Sequence, residues 1–286
     1  MEPVRWDDHP RLRRPVLLAA FEGWNDAGDA ASMAARWLAA QWAARGFATI
    51  DPEEFYDFTV ARPRVRLVEG MTRKLEWPDG ELEAASPPGS PHDVVFLHAA
   101  EPQLRWRTYA ATVVDIARSL EVELAITLGG LGAEVPHTRP VRVTGTAANA
   151  ALASTLGLRR SRYEGPTGIV GVLHDAFGRA GIPSASLWAN VPHYVSGAPS
   201  PKAALALVER TTNLLGARVP LDELRVAAEA YERQVSEVVA EDDEVAASVR
   251  RLEELEELDV DADEGLEPSG GLAEEVEQFL RDQSAE

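Results

Sequence analysis

Side chains able to move protons or hold anions recur in this chain just behind its apolar runs. Glu22, Trp24, Asn25 and Asp26 follow the run at residues 15–21. Glu101 and Arg105 follow the run at 94–98. His137, Thr138 and Arg139 lie in the segment after 124–128, and His193 and Tyr194 follow 185–189. Such a set suits acid–base work on a small polar or anionic molecule. Glu22 or Glu101 would serve as acid or base, and His137 or His193 would polarise a bond or relay a proton. Arg139 would hold an anion and Trp24 would stack on a ring. Asn25, Asp26, Arg105, Thr138 and Tyr194 would complete the binding surface. Cleavage of a glycosidic bond by phosphate or water fits this set, because no covalent nucleophile stands out.

These residues meet only if the apolar runs are neighbouring strands. Open parallel sheets bind ligands at the carboxyl ends of their strands. The pattern repeats strand, loop and helix: a strand at 15–21, a turn at 22–29 and an Ala-rich helix at 30–45. One or two exposed strands are expected within 47–77, where short runs stand at 65–68 and 71–77, and a loop at 86–91. A buried strand at 94–98 leads to a helix at 104–120. The strand at 124–128 leads to a long loop at 129–140, whose glycines 129, 130 and 132 read as turn geometry. A short strand at 141–144, a helix at 147–156, a turn at 163–168 and a helix at 170–180 follow. A strand at 185–189 and a helix at 201–215, with Pro201 at its first position, end the series. The expected fold is α/β, with three layers and a mostly parallel sheet. Beyond residue 221 the pattern is helical throughout, at 221–239, 241–258 and 272–281, with a linker at 259–271. The expected division is an α/β domain at 1–220 and an acidic helical extension at 221–286.

Plainer roles compete for the same residues. Asp26 and Asp29 suit the start of a helix better than a metal. Trp24 could pack beneath its own loop. His98 and His174 read as core histidines. His137 and His193 follow prolines in loops, where their rings are free for function.

Composition removes several classes of function. Cysteine is absent from the 286 residues, which excludes disulfides, thiolate catalysis and cysteine-bound metals. Only Lys74 and Lys202 are lysine among 28 basic residues, so a Schiff base has few candidates. Of the net charge of -19, residues 221–286 carry -18, from 23 acids and 5 arginines. Such a tail repels nucleic acid and suits either solvation or a protein partner. No apolar run has the length of a membrane span, and a cytoplasmic protein is expected. Phosphate-loop, dinucleotide, His-Glu-x-x-His and Gly-x-Ser-x-Gly patterns are missing. No metal and no cofactor is expected.

Five segments taken together carry a resemblance. They are residues 20–29 (Ala-Phe-Glu-Gly-Trp-Asn-Asp-Ala-Gly-Asp), 101–106, 135–140, 163–169 and 186–194. In this order they resemble the proteasome assembly chaperone family, in its actinobacterial branch, over residues 15–215. The resemblance implies a fold similar to nucleoside phosphorylases, a helical C-terminal addition and self-association, with a trimer as the expected state. It favours a non-catalytic interaction or assembly protein. An enzyme acting on a nucleoside-like metabolite and a small-ligand sensor stand as alternatives.

Overall fold

The computed structural model describes residues 3–68, 72–158 and 164–263. An eight-stranded mixed sheet organises them, with helices on both faces. In chain order the first elements are β1 (Val4–Trp6), β2 (Val16–Glu22), α1 (Ala30–Gln41) and β3 (Arg45–Ile50). β4 (Arg64–Val68) and β5 (Thr72–Glu76) form a separate two-stranded ribbon. The chain continues with β6 (Gly80–Ala85), β7 (Val94–Ala100), α2 (Trp106–Ser119) and β8 (Leu124–Ala133). Then come β9 (Val143–Ala147), α3 (Ala150–Thr155), α4 (Ile169–Ala180), β10 (Ser184–Pro192) and α5 (Pro201–Leu215). Two long helices, α6 (Asp222–Ala240) and α7 (Asp243–Asp263), end the described chain.

The strand order is β1-β3-β6-β7-β2-β8-β10-β9. The four central strands, β7, β2, β8 and β10, run parallel, as the strand–loop–helix rhythm requires. The flanking pairs are antiparallel. β2 is apolar at every position before Glu22 because both of its faces are covered. Val16, Leu18 and Ala20 enter one core layer, with α1 and α5 above them. Leu17, Ala19 and Phe21 enter the other, with α2 and α4. Full burial of each large side chain contributes about 1.5–3 kcal/mol. Ala30, Ala31, Ala34 and Ala35 let α1 approach the sheet closely, and Leu38 fills the remaining depth.

Two differences from the sequence reading matter. β8 runs on to Ala133, so Gly129 and Gly130 are strand residues and not turn residues. Their role is close approach. A Cβ on Gly129 would lie 2.3 Å from the Trp188 ring, and one on Gly130 would lie 2.4 Å from the Ala27 carbonyl oxygen. The other difference is at residue 259, where a linker was expected and α7 continues through Asp263. The helix expected at 272–281, the rest of that linker and Tyr163 lie outside the described residues.

α6 buries Leu224, Ala228, Tyr231, Val235 and Val239, a stripe at helical spacing, and packs on α5. Tyr231, Val235 and Val239 also share a small core with Val249 of α7. No helix among the described residues is long and apolar enough to cross a membrane.

Replacing Gly130 by alanine pushes a methyl group into fixed backbone. Overpacking of this kind should destabilise the protein by about 3 kcal/mol. Urea unfolding should show a lower midpoint at unchanged slope; an unchanged midpoint would mean that the 23–29 loop yields freely.

Candidate functional site

The carboxyl ends of β7, β2 and β8 lie side by side, and hydrogen bonds tie their exits together. Glu101 N–H donates to the Glu22 carbonyl at 2.8 Å, and Gly130 N–H donates to the Asn25 carbonyl at 2.8 Å. Asn25 Nδ2 donates to Glu101 Oε1 at 2.7 Å, and the same oxygen accepts the Ile169 N–H at 2.8 Å. Ile169 opens α4, whose own N-cap is Gly168 and has no side chain to offer. Glu101 therefore caps α4 from another strand, where the helix dipole favours a negative charge. A Cβ on Gly168 would fall within 2.2 Å of Asn25 Nδ2 and 2.5 Å of Glu101 Oε1, which is why glycine stands there.

Asp26 receives the Ala31 N–H at 2.6 Å and the Ser32 N–H at 3.3 Å, so it caps the first turn of α1. Burial raises its carboxyl above the ordinary range, against the pull of those donors. Glu22 pairs with Arg36 of α1. Arg105 turns away to Glu54, at 2.7 Å. Trp24 is 66% exposed, so it does not pack beneath its loop.

The second half of the expected site sits after β8 and β10 and is covered by the C-terminal helices. His137 is buried. Its Nδ1 lies 2.8 Å from the Tyr194 hydroxyl, which also accepts the His137 N–H at 2.8 Å. Its Nε2 lies 3.0 Å from Ser236 Oγ of α6, and that hydroxyl donates to the Glu232 carbonyl at 2.8 Å. Ser236 already donates to the Glu232 carbonyl, so Nε2–H donates to Ser236; in the neutral ring Tyr194 then donates to Nδ1. Burial, helped by the nearby Lys202 ammonium, lowers the His137 pKa below its ordinary value of 6.5. Burial also raises the Tyr194 hydroxyl to about 12, which keeps it a donor.

Lys202 closes the node. Its Nζ donates to the His137 carbonyl at 2.6 Å and to Glu232 Oε2 at 2.5 Å. Thr138 and Arg139 bond to Glu253 and Glu257 of α7, and Arg142 pairs with Glu256 at 3.1 Å. His193 faces Glu134 at 3.5 Å on the surface. The cavity bounded by His137, Arg139, Asn190, Lys202, Tyr231 and Glu256 holds about 10 Å³. That is room for roughly one water and far below the ~300 Å³ of a metabolite pocket.

Contacts thus gather the expected residues into two sets. Glu22, Asn25, Asp26 and Glu101, with Trp24 on the same loop, form one. His137, Thr138, Arg139, His193 and Tyr194 form the other. The sequence reading overlooked Lys202, Ser236 and Glu232. Lys202 could have been found: it is one of two lysines and sits in the first turn of α5. Ser236 and Glu232 carried no signal in an acidic helix. Among the described residues no cluster of His, Cys, Asp or Glu is suited to hold a metal ion.

The strand-exit loops of this α/β body are tied to one another and to a helical cover. The family model for the PAC2 family matches residues 20–239, and the chain belongs to that family. A PAC2 family protein from Streptomyces avermitilis is 47% identical, with 82% of this chain and 99% of that one covered and a TM-score of 0.77. A proteasome-assembly chaperone homologue from Mycobacterium tuberculosis is 50% identical, with the same coverage and a TM-score of 0.75. Pyrococcus furiosus PbaB, an archaeal proteasome activator, is 17% identical over 83% of this chain and 99% of that one. Its TM-score of 0.69 shows a shared fold. Among curated proteins no relative matches the chain.

The His137 node gives a pH dependence with a defined sign. The folded state holds the ring neutral and the unfolded state protonates it near pH 6.5. The stabilisation is present above that value and is lost as pH falls toward the folded pKa. Thermal unfolding midpoints should drop between about pH 7 and pH 5 in the wild type and drop less in His137→Gln. Equal slopes would show that His137 does not couple the helices to acid.

Proposed function

We propose that this chain acts as an assembly protein by associating with itself, and that protein surfaces are what it recognises. Membership of the PAC2 family and the likeness to a proteasome-assembly chaperone homologue support that reading. One observation carries it: the β4–β5 ribbon. A two-stranded ribbon is marginal in water by itself. Cross-strand partners share a face, so Val65 and Leu75 sit opposite each other with Leu67 beside them. These three are 57%, 53% and 64% exposed. Phe58 and Trp77 close the root of the ribbon, with ring centroids 4.9 Å apart. A bare apolar face on a projecting ribbon is costly unless a partner covers it.

The other expected chemistry has less support. Glu101 and Asp26 are engaged as helix caps, and His137 is engaged under α6. The acidic surplus of residues 221–286 suits a basic protein partner as a second contact.

Sedimentation at rising concentration should give a mass that is a multiple of the 31.0 kDa chain. Replacing Leu67 and Leu75 together by glutamate should return it to one chain, with the circular dichroism unchanged. A wild type that stays at 31.0 kDa up to high concentration would overturn the proposal.

A further inference from the structure

Outside the ribbon, the sheet's carboxyl edge is another place where the described α/β body leaves large apolar side chains bare. Trp24 follows β2, Leu104 follows β7, and Leu131 lies near the end of β8. Those three strands are adjacent in the order β7-β2-β8. The hydrogen bonds between Glu101 and Glu22, and between Gly130 and Asn25, hold their exits together. The edge also carries acids. Asp29 is exposed, and Glu134 is exposed beside His193. Of the arginines nearby, Arg36 pairs with Glu22 and Arg105 pairs with Glu54, while Arg107 is exposed.

The ribbon has the opposite character. Arg64, Arg66, Arg73 and Lys74 outnumber the single acid Glu76 in its two strands. Arg73 is paired with Leu67 across the strands, so it stands on the apolar face itself. One face of the ribbon therefore offers three aliphatic side chains and one cation. The edge offers an indole and two leucines among acids.

We infer that the ribbon of one copy lies, apolar face down, across the carboxyl edge of a second copy's sheet, over Trp24 and Leu131, with Arg73 among the edge acids. The inference rests on the self-association proposed above and names its surfaces. Ribbon against ribbon is the weaker arrangement. It would set Arg73 near its own copy, and three aliphatic residues fall well short of the roughly 800 Å² per partner of a stable contact. Trp24 alone can add about 150–250 Å². Ribbon to edge is a head-to-tail contact, which closes into a ring when the rotation allows. The cationic face, with Arg64, Arg66 and Lys74, stays toward solvent. The residues first expected to surround a metabolite would then border a protein interface.

Complementation of two full-length variants tests this. One carries Leu67→Glu and Leu75→Glu, and the other carries Trp24→Glu and Leu131→Glu. All four side chains are exposed, so each variant should keep its fold, checked by circular dichroism and thermal unfolding. Each alone should sediment as a single chain, since each lacks one half of the contact. Mixed, they should form a one-to-one complex, because one intact ribbon and one intact edge remain. Adding Arg73→Glu to the edge variant should weaken that complex at least tenfold. Edge variants that still assemble like the wild type would overturn the ribbon-to-edge contact while leaving self-association standing. Two monomeric variants that fail to complement would likewise overturn it. A monomeric wild type would remove both readings.

Discussion

A sheet with two apolar faces has to be covered twice, and that requirement governs most of this chain. β7 and β2 are apolar on both sides, and β8 and β10 continue the layer that α1 and α5 cover, so α1 and α5 lie on one face and α2 and α4 on the other. Close cover demands small residues where backbones meet. Alanines of α1 meet the sheet, Gly129 admits the Trp188 ring, and Gly130 admits the Ala27 carbonyl. The same rule extends outward. α5 leaves a stripe that α6 covers, and α6 leaves one that α7 covers in part. The ribbon is an apolar face that the described chain leaves bare.

Polar groups then decide where the cover sits. Glu101 belongs to the exit of one strand yet caps α4, so the loop and the helix cannot move apart without stranding a helix N-terminus. Lys202 holds α5, the His137 carbonyl and α6 at one point. Charge alone would give the acidic helices little gain from approaching an electrically balanced body. Arg139 and Arg142 add pairs to α7, but these lie nearer the surface and are screened by salt. The partly buried lysine and the buried histidine bind α6 more specifically.

Much of this was legible in the residues, and the failures have physical causes. The parallel centre was readable because β2, β7 and β8 are continuous apolar runs, the mark of strands buried on both faces. The helices α1, α4 and α5 followed from periodicity and from Ser200-Pro201. The flanking strands β3 and β6 escaped. β6 reads Gly-Glu-Leu-Glu-Ala-Ala, with one large apolar residue, and its strand character comes from pairing with β7. The candidate residues were found at strand exits, where topology puts them. What spacing could not reveal was their employment. A carboxylate that caps a distant helix looks, in sequence, like one that awaits a substrate. Glu101 is of this kind, whereas Asp26 was expected at a helix start and caps α1 there; His137 gives the same lesson in imidazole.

The proposed assembly role needs surfaces more than pockets, and the ribbon is the exposed apolar face proposed to meet a partner. Amide hydrogen exchange as a function of protein concentration tests that claim most directly. Ribbon amides in residues 64–68 and 72–76 should exchange fast in dilute solution, where an isolated two-stranded pair opens freely. They should become protected as concentration rises, together with residues 22–29 and 131–134, while the core strands stay unchanged. Ribbon exchange that is the same at the lowest and highest concentrations would contradict the account.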